Sequence, residues 1–106
     1  MITLSDAAPK TIYWRRELPP LDAVAIGEHT IEATSRRVPD TIDDRENLWD
    51  RGKDELMAQA RDRLEQEVTR LGGRLAHVLD ESIDARHDAA SGEAWLHARF
   101  TYTLYR

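Results

Sequence analysis

Between Asp43 and Leu71 the apolar residues Leu48, Trp49, Leu56, Ala60, Leu64, Val68 and Leu71 recur at helical spacing on one stripe, and Gly72-Gly73 follows at once. Apolar residues every three to four positions turn one side of a helix toward a core. A glycine pair supplies the left-handed backbone that stops it. The sequence therefore predicts a helix over 43–71, with Asp50, Asp54, Arg61, Arg63, Glu65 and Glu67 on its solvent side. Asp40, Asp43, Asp44 and Glu46 crowd its start, where the helix dipole favours negative charge, and Asp43 with Glu46 has capping-box spacing. Gly52 falls on the stripe where an apolar residue is expected and costs about 1 kcal/mol relative to Ala. Either another backbone comes close there or the helix breaks after Arg51, and the continuous helix is the preferred reading.

The helix needs a surface to cover, and the rest of the chain supplies strands. Ala94, Leu96, Ala98, Phe100, Tyr102 and Leu104 alternate with Glu93, Trp95, His97, Arg99, Thr101 and Thr103, which predicts a strand whose even-numbered side faces the helix. Leu75–Ala85 reads as its partner, with Leu75, His77, Leu79, Ile83 and Ala85 on one parity, and Arg86–Gly92 as the hairpin connection. Upstream, 21–38 reads as one long strand, with Ala23–Ile26 buried on both faces and a bulge or bend at Gly27. Residues 1–10 read as a loose start. Thr11–Leu18 reads as a short arm with Ile12 and Trp14 on one face, ended by Pro19-Pro20. The expected architecture is a single α+β domain, a β-α-β-β unit. It consists of an arm 1–20, a strand 21–38, a helix 43–71 and a hairpin 75–105, with the one helix on a mostly antiparallel sheet of three or four strands.

Charge and composition narrow the function classes. A net charge of -5, with no cluster of basic residues beyond Arg15-Arg16 and Arg36-Arg37, argues against a nucleic-acid partner. No apolar stretch approaches the ~20 residues of a membrane span, and the start lacks the basic and apolar regions of a signal peptide. Zero Cys removes disulfide and thiolate chemistry, so a cytoplasmic protein is expected. With 33 % charged residues in 106, the core should be thin.

No catalytic signature is present, and the chain is expected not to be an enzyme. A metal site would have to be assembled across strands, with His29 and His97 as candidate ligands; the alternative is that these are ordinary sheet histidines. His77 and Asp80, three apart in a strand, are expected on opposite faces. The acidic run Asp80, Glu81, Asp84 and Asp88 could do acid-base work in a cleft, but reads as a solvated strand end. Trp95, His97 and Arg99 share the strand face turned away from the helix, and an aromatic and an arginine on a polar face suit a protein interface or the stacking of a flat ligand. With Trp14 of the arm they are the expected subunit contacts.

The run Arg70-Leu71-Gly72-Gly73, then Ala76-His77-Val78-Leu79-Asp80-Glu81-Ser82-Ile83-Asp84, then Ser91-Gly92 and Arg99-Phe100-Thr101-Tyr102 resembles the small YbjQ-type family described as heavy-metal-binding domains. The resemblance covers less than half of the chain. It implies a β-α-β-β unit that assembles into rings, and it carries over no binding residue, because Ser35–Asp44 replaces the glycine-rich stretch of that family. Dodecins, flavin-holding shells with a similar strand-helix-hairpin order, are a second resemblance. Their stacking Trp follows the helix, where this chain has Gly73-Arg74-Leu75. The functional expectation is a homo-oligomer, a ring or shell partnered with itself and without a resident cofactor; a metal- or small-ligand-binding module with sites between subunits, flavin included, is the alternative.

Overall fold

The computed structural model describes residues 10–106, so the expected loose start over 1–10 lies, but for Lys10, outside the described residues. The fold is α+β, a 29-residue helix on one face of a five-stranded, mostly antiparallel sheet. Its strands are β1 (Ile12–Trp14), β2 (Ala25–Thr34), β3 (Val38–Pro39), β4 (Leu75–Asp88) and β5 (Glu93–Tyr105), in the order β1-β4-β5-β2, with the two-residue β3 also pairing β5. β1 runs parallel to β4, the single departure from antiparallel pairing. The molecule is long and flat, 54 × 33 × 20 Å.

The alternation of β5 is realised as expected. Ala94, Leu96, Ala98, Phe100, Tyr102 and Leu104 are buried, none more than 3 % exposed. Leu56, Ala60, Leu64 and Val68 of the helix are buried against that face. At ~25 cal/mol per Å² of apolar surface removed from water, this seam is the main stabilising contribution of the fold.

The helix starts at Thr41, whose Oγ1 accepts a hydrogen bond from the Asp44 amide at 3.2 Å and donates to Asp44 Oδ2 at 2.6 Å. The cap thus lies two residues before the Asp43–Glu46 pair that the spacing suggested. At the other end Gly73 N donates to Val68 O and Gly72 N to Thr69 O, the paired bonds of a Schellman stop, with Gly72 at φ 74°.

The helix is continuous across Gly52 but not uniform. Ile42–Asn47 (α1) and Lys53–Arg70 (α2) are α-helical, and Leu48–Gly52 between them forms a π-helical turn. Leu48 and Leu56 are eight residues apart, which in a regular α-helix would leave them about 80° out of line. The wider turn absorbs that excess, and both residues are buried. A side chain at Gly52 would begin 3.1 Å from Leu48 Cδ1, which would have to give, whereas its 3.6 Å distance from Ser35 Cβ is ordinary contact, so the glycine makes room for the Leu48 side chain at the turn. Ser35 is itself buried, its Oγ accepting from Leu96 N at 2.8 Å.

Three expectations are corrected. The strand expected over 21–38 is divided into β2 and β3, and its first part is not buried on both faces: Val24 is 61 % and Ile26 42 % exposed, because β2 is an edge strand. The bulge expected at Gly27 is present, between Ala25 and Gly27. In β4 a second bulge between Val78 and Asp80 reverses the parity of everything after it. Ala76 and Val78 face the helix before the bulge and Ile83 after it, paired with Leu104, Tyr102 and Ala98, while Leu79 is left 47 % exposed. The same bulge brings Asp80 to the face that carries His77, since their partners are Thr101 and Thr103. Finally, the arm ends before Pro19-Pro20: Arg15 turns out of β1 with φ 45°.

Candidate functional site

Two regions hold the side chains that chemistry could use, one on each face of the sheet. The first is the open face, opposite the helix. Cross-strand register sets it out in rows: Glu28–Thr103–His77, Thr30–Thr101–Asp80, Glu32–Arg99–Ser82, Thr34–His97–Asp84, and Trp95–Arg86. The expected cluster Trp95, His97 and Arg99 lies here in one line along β5. His97 Nε2 is 3.2 Å from Glu32 Oε1. The Arg37 guanidinium sits 4.1 Å over the Trp95 ring, a cation–π contact, and reaches Glu93 at 3.8 Å. Trp95 already has a stacking partner from its own chain.

Trp14 lies elsewhere. On β1 it packs against the core with its ring edge-on to Phe100, centroids 5.9 Å apart. Tyr13 beside it is buried on the open-face side together with His77, whose Nε2 bonds the Arg15 carbonyl at 2.7 Å. The arm has therefore found a groove in its own sheet.

His29 and His97 are not brought together. His29 is paired with Tyr102 on the helix side, its ring 5.7 Å from the tyrosine ring, whereas His97 is paired with Thr34 on the open face. Their strands are neighbours, but the side chains point to opposite faces. No group of three or more His, Asp or Glu with metal-binding geometry exists among the described residues. The acidic run does not converge either: Glu81 pairs with Arg15 at 3.1 Å, Asp84 with Arg86 at 3.0 Å, and Asp88 Oδ1 caps the hairpin at Ala90 N. Spread along the outer edge of β4, these charges discourage pairing with another strand.

The second region went unnoticed in the sequence. On the helix side, a cleft of about 340 Å³ opens between the π-helical turn and the far end of the hairpin, lined by Asp40, Arg45, Leu48, Trp49, Ala85, Arg86, His87 and Ala94. It exists because the sheet carries alanines here: Ala85 and Ala94 stand where a larger residue would meet the helix. Trp49, expected on the apolar stripe, is 44 % exposed and forms a wall instead. Arg45 Nε bonds Asp40 Oδ1. That bond, with a smaller contribution from nearby His87, holds the Asp40 carboxyl below the usual carboxylate range, and in return raises the Arg45 guanidinium. Two signals could have revealed the cleft: the eight-residue gap from Leu48 to Leu56 ahead of the four-residue steps from Leu56 to Val68, and the small pair Ala85/Ala94.

No helix among the described residues is long and apolar enough to cross a membrane. No family model, no curated protein and no solved structure matches the chain.

Proposed function

We propose that the protein is a non-catalytic module that works as a homo-oligomer, its copies joined along the open edge of β2. The observation that carries this reading is a run of uncovered apolar side chains at the start of that strand: Leu21 is 105 %, Val24 61 % and Ile26 42 % exposed. Val24 is no loose residue, since its backbone exchanges two hydrogen bonds with Arg106 at 2.8 and 3.2 Å, so its side chain is held out in a fixed place. Burying each such residue in a contact would stabilise it by roughly 1.5–3 kcal/mol, and an unpaired strand edge offers backbone donors and acceptors to a second copy. The rings implied by the YbjQ-type resemblance are consistent with this.

Native mass spectrometry tests it. A discrete multiple of 12.2 kDa is expected, reduced to the subunit mass by Leu21→Glu with Val24→Glu while the circular dichroism spectrum is kept. A 12.2 kDa species at micromolar concentration would overturn the proposal. Trp95→Ala locates the contact: an unchanged mass assigns it to the β2 edge alone, and a reduced mass adds the open face.

A further inference from the structure

We propose that the cleft at the π-helical turn is a binding site for a small planar aromatic carboxylate, its ring lying along Trp49 over the Ala85–Ala94 floor and its carboxylate held by Arg45 and His87. The volume comes first. At about 340 Å³ the cleft lies at the lower end of the range for small-molecule sites, which pair apolar walls with a few convergent polar groups. Leu48, Trp49, Ala85 and Ala94 are the walls; Arg45 and His87 are the polar groups with capacity left over.

That spare capacity can be traced atom by atom. Arg45 uses Nε on Asp40, which fixes the plane of the guanidinium and leaves its two terminal nitrogens without a partner among the described residues. A planar guanidinium so positioned is preorganised for a carboxylate. Histidine ring hydrogen bonds among the described residues involve His77 and His97, so the His87 ring is available. Asp40 offsets the Arg45 charge, and what the lining still offers, the terminal N–H groups of Arg45 and the His87 ring, suits an anion.

The helix geometry supports the same assignment. A turn of π-helix is less favourable than α and is found frequently at functional sites. Here it lets Leu48 go into the core at 2 % exposure while Trp49, the next residue, opens into the cleft. A regular helix would not need the irregularity to bury Leu56, Ala60, Leu64 and Val68, which lie beyond it.

The test uses 1-naphthoate as the probe, followed by the indole N–H resonances of Trp14, Trp49 and Trp95 in the full chain. A saturable shift at Trp49, and not at Trp14 or Trp95, is expected. Arg45→Gln should weaken it by about tenfold, the size of one charge-assisted hydrogen bond. Ala85→Leu, which fills the floor from a position that is itself exposed, should abolish it, and neutral 1-naphthalenemethanol should bind about tenfold more weakly than the acid. Two results would overturn the proposal: no saturable shift at Trp49, or affinities of both variants within threefold of the parent. Equal binding of the alcohol and the acid would overturn the carboxylate assignment. The readout is local to one subunit, so it stands or falls independently of the native mass.

Discussion

The two ends of the sheet are covered by the same helix and differ in what the helix meets. Toward the helix C-terminus α2 lies on Val78, Phe100, Tyr102 and Leu104, all at most 2 % exposed. Toward its N-terminus the π turn lies over Ala85 and Ala94 and leaves an open cleft. The large residues of one end and the alanines of the other occupy equivalent inward positions of β4 and β5. A helix laid on a sheet thus becomes core or site according to the size of the side chains beneath it.

Mutation should separate the ends most sharply through the core. Phe100→Ala, at a position with no exposed surface that also supports the Trp14 ring, is expected to cost about 3–5 kcal/mol. Ala94→Ser at the cleft end should cost far less, and urea unfolding of both would show it. Similar losses at the two ends would mean that the cleft is as tightly packed as the core. The junction comes next. Gly52→Val must displace the Leu48 side chain, and an expected loss of about 1–3 kcal/mol would give way to a gain if the turn could relax to α-helix, where glycine is the poorer residue. Thr41→Ala removes the side-chain cap at the cleft end and should lower thermal stability by about 1 kcal/mol; no change would show that the N-terminal turn contributes nothing to the fold.

The smallest effect at neutral pH belongs to Tyr102. Burial, with the Glu67 carboxylate adding to it, raises its hydroxyl above the ordinary value of 10.0. The folded state then holds a proton that the unfolded chain releases, so stability is fully present below pH ~10 and falls as pH rises toward the folded-state value. Tyr102→Phe should leave the neutral stability nearly unchanged and flatten the alkaline decline. A decline of the same steepness in the variant would place its origin in another group.

Much of the fold was legible because the strongest patterns are also the most buried. The alternation of β5 and the stripe from Leu56 to Val68 each predict a face, and these faces meet. Parity along β4 was not legible after Leu79, since a bulge changes register without any change in residue type. Burial of Ala23–Ile26 was overstated for a different reason: β-branched residues read the same in a central strand and at an edge, and only the strand order places β2 outside. As for sites, the Trp95–His97–Arg99 line was visible from period-two spacing, whereas the cleft depends on residues from four separate stretches, Asp40, Arg45–Trp49, Ala85–His87 and Ala94, which no local pattern brings together.

The π turn also makes the helix tolerant of chain length at one place. Deleting one residue from 49–52 would leave Leu48 seven residues from Leu56, about 20° out of line in a plain α-helix, so α1 and the seam from Leu56 to Val68 would keep their alignment. The widened turn is in this sense a one-residue insertion. A lineage could gain or lose it by a single-codon change without altering any buried residue of α2.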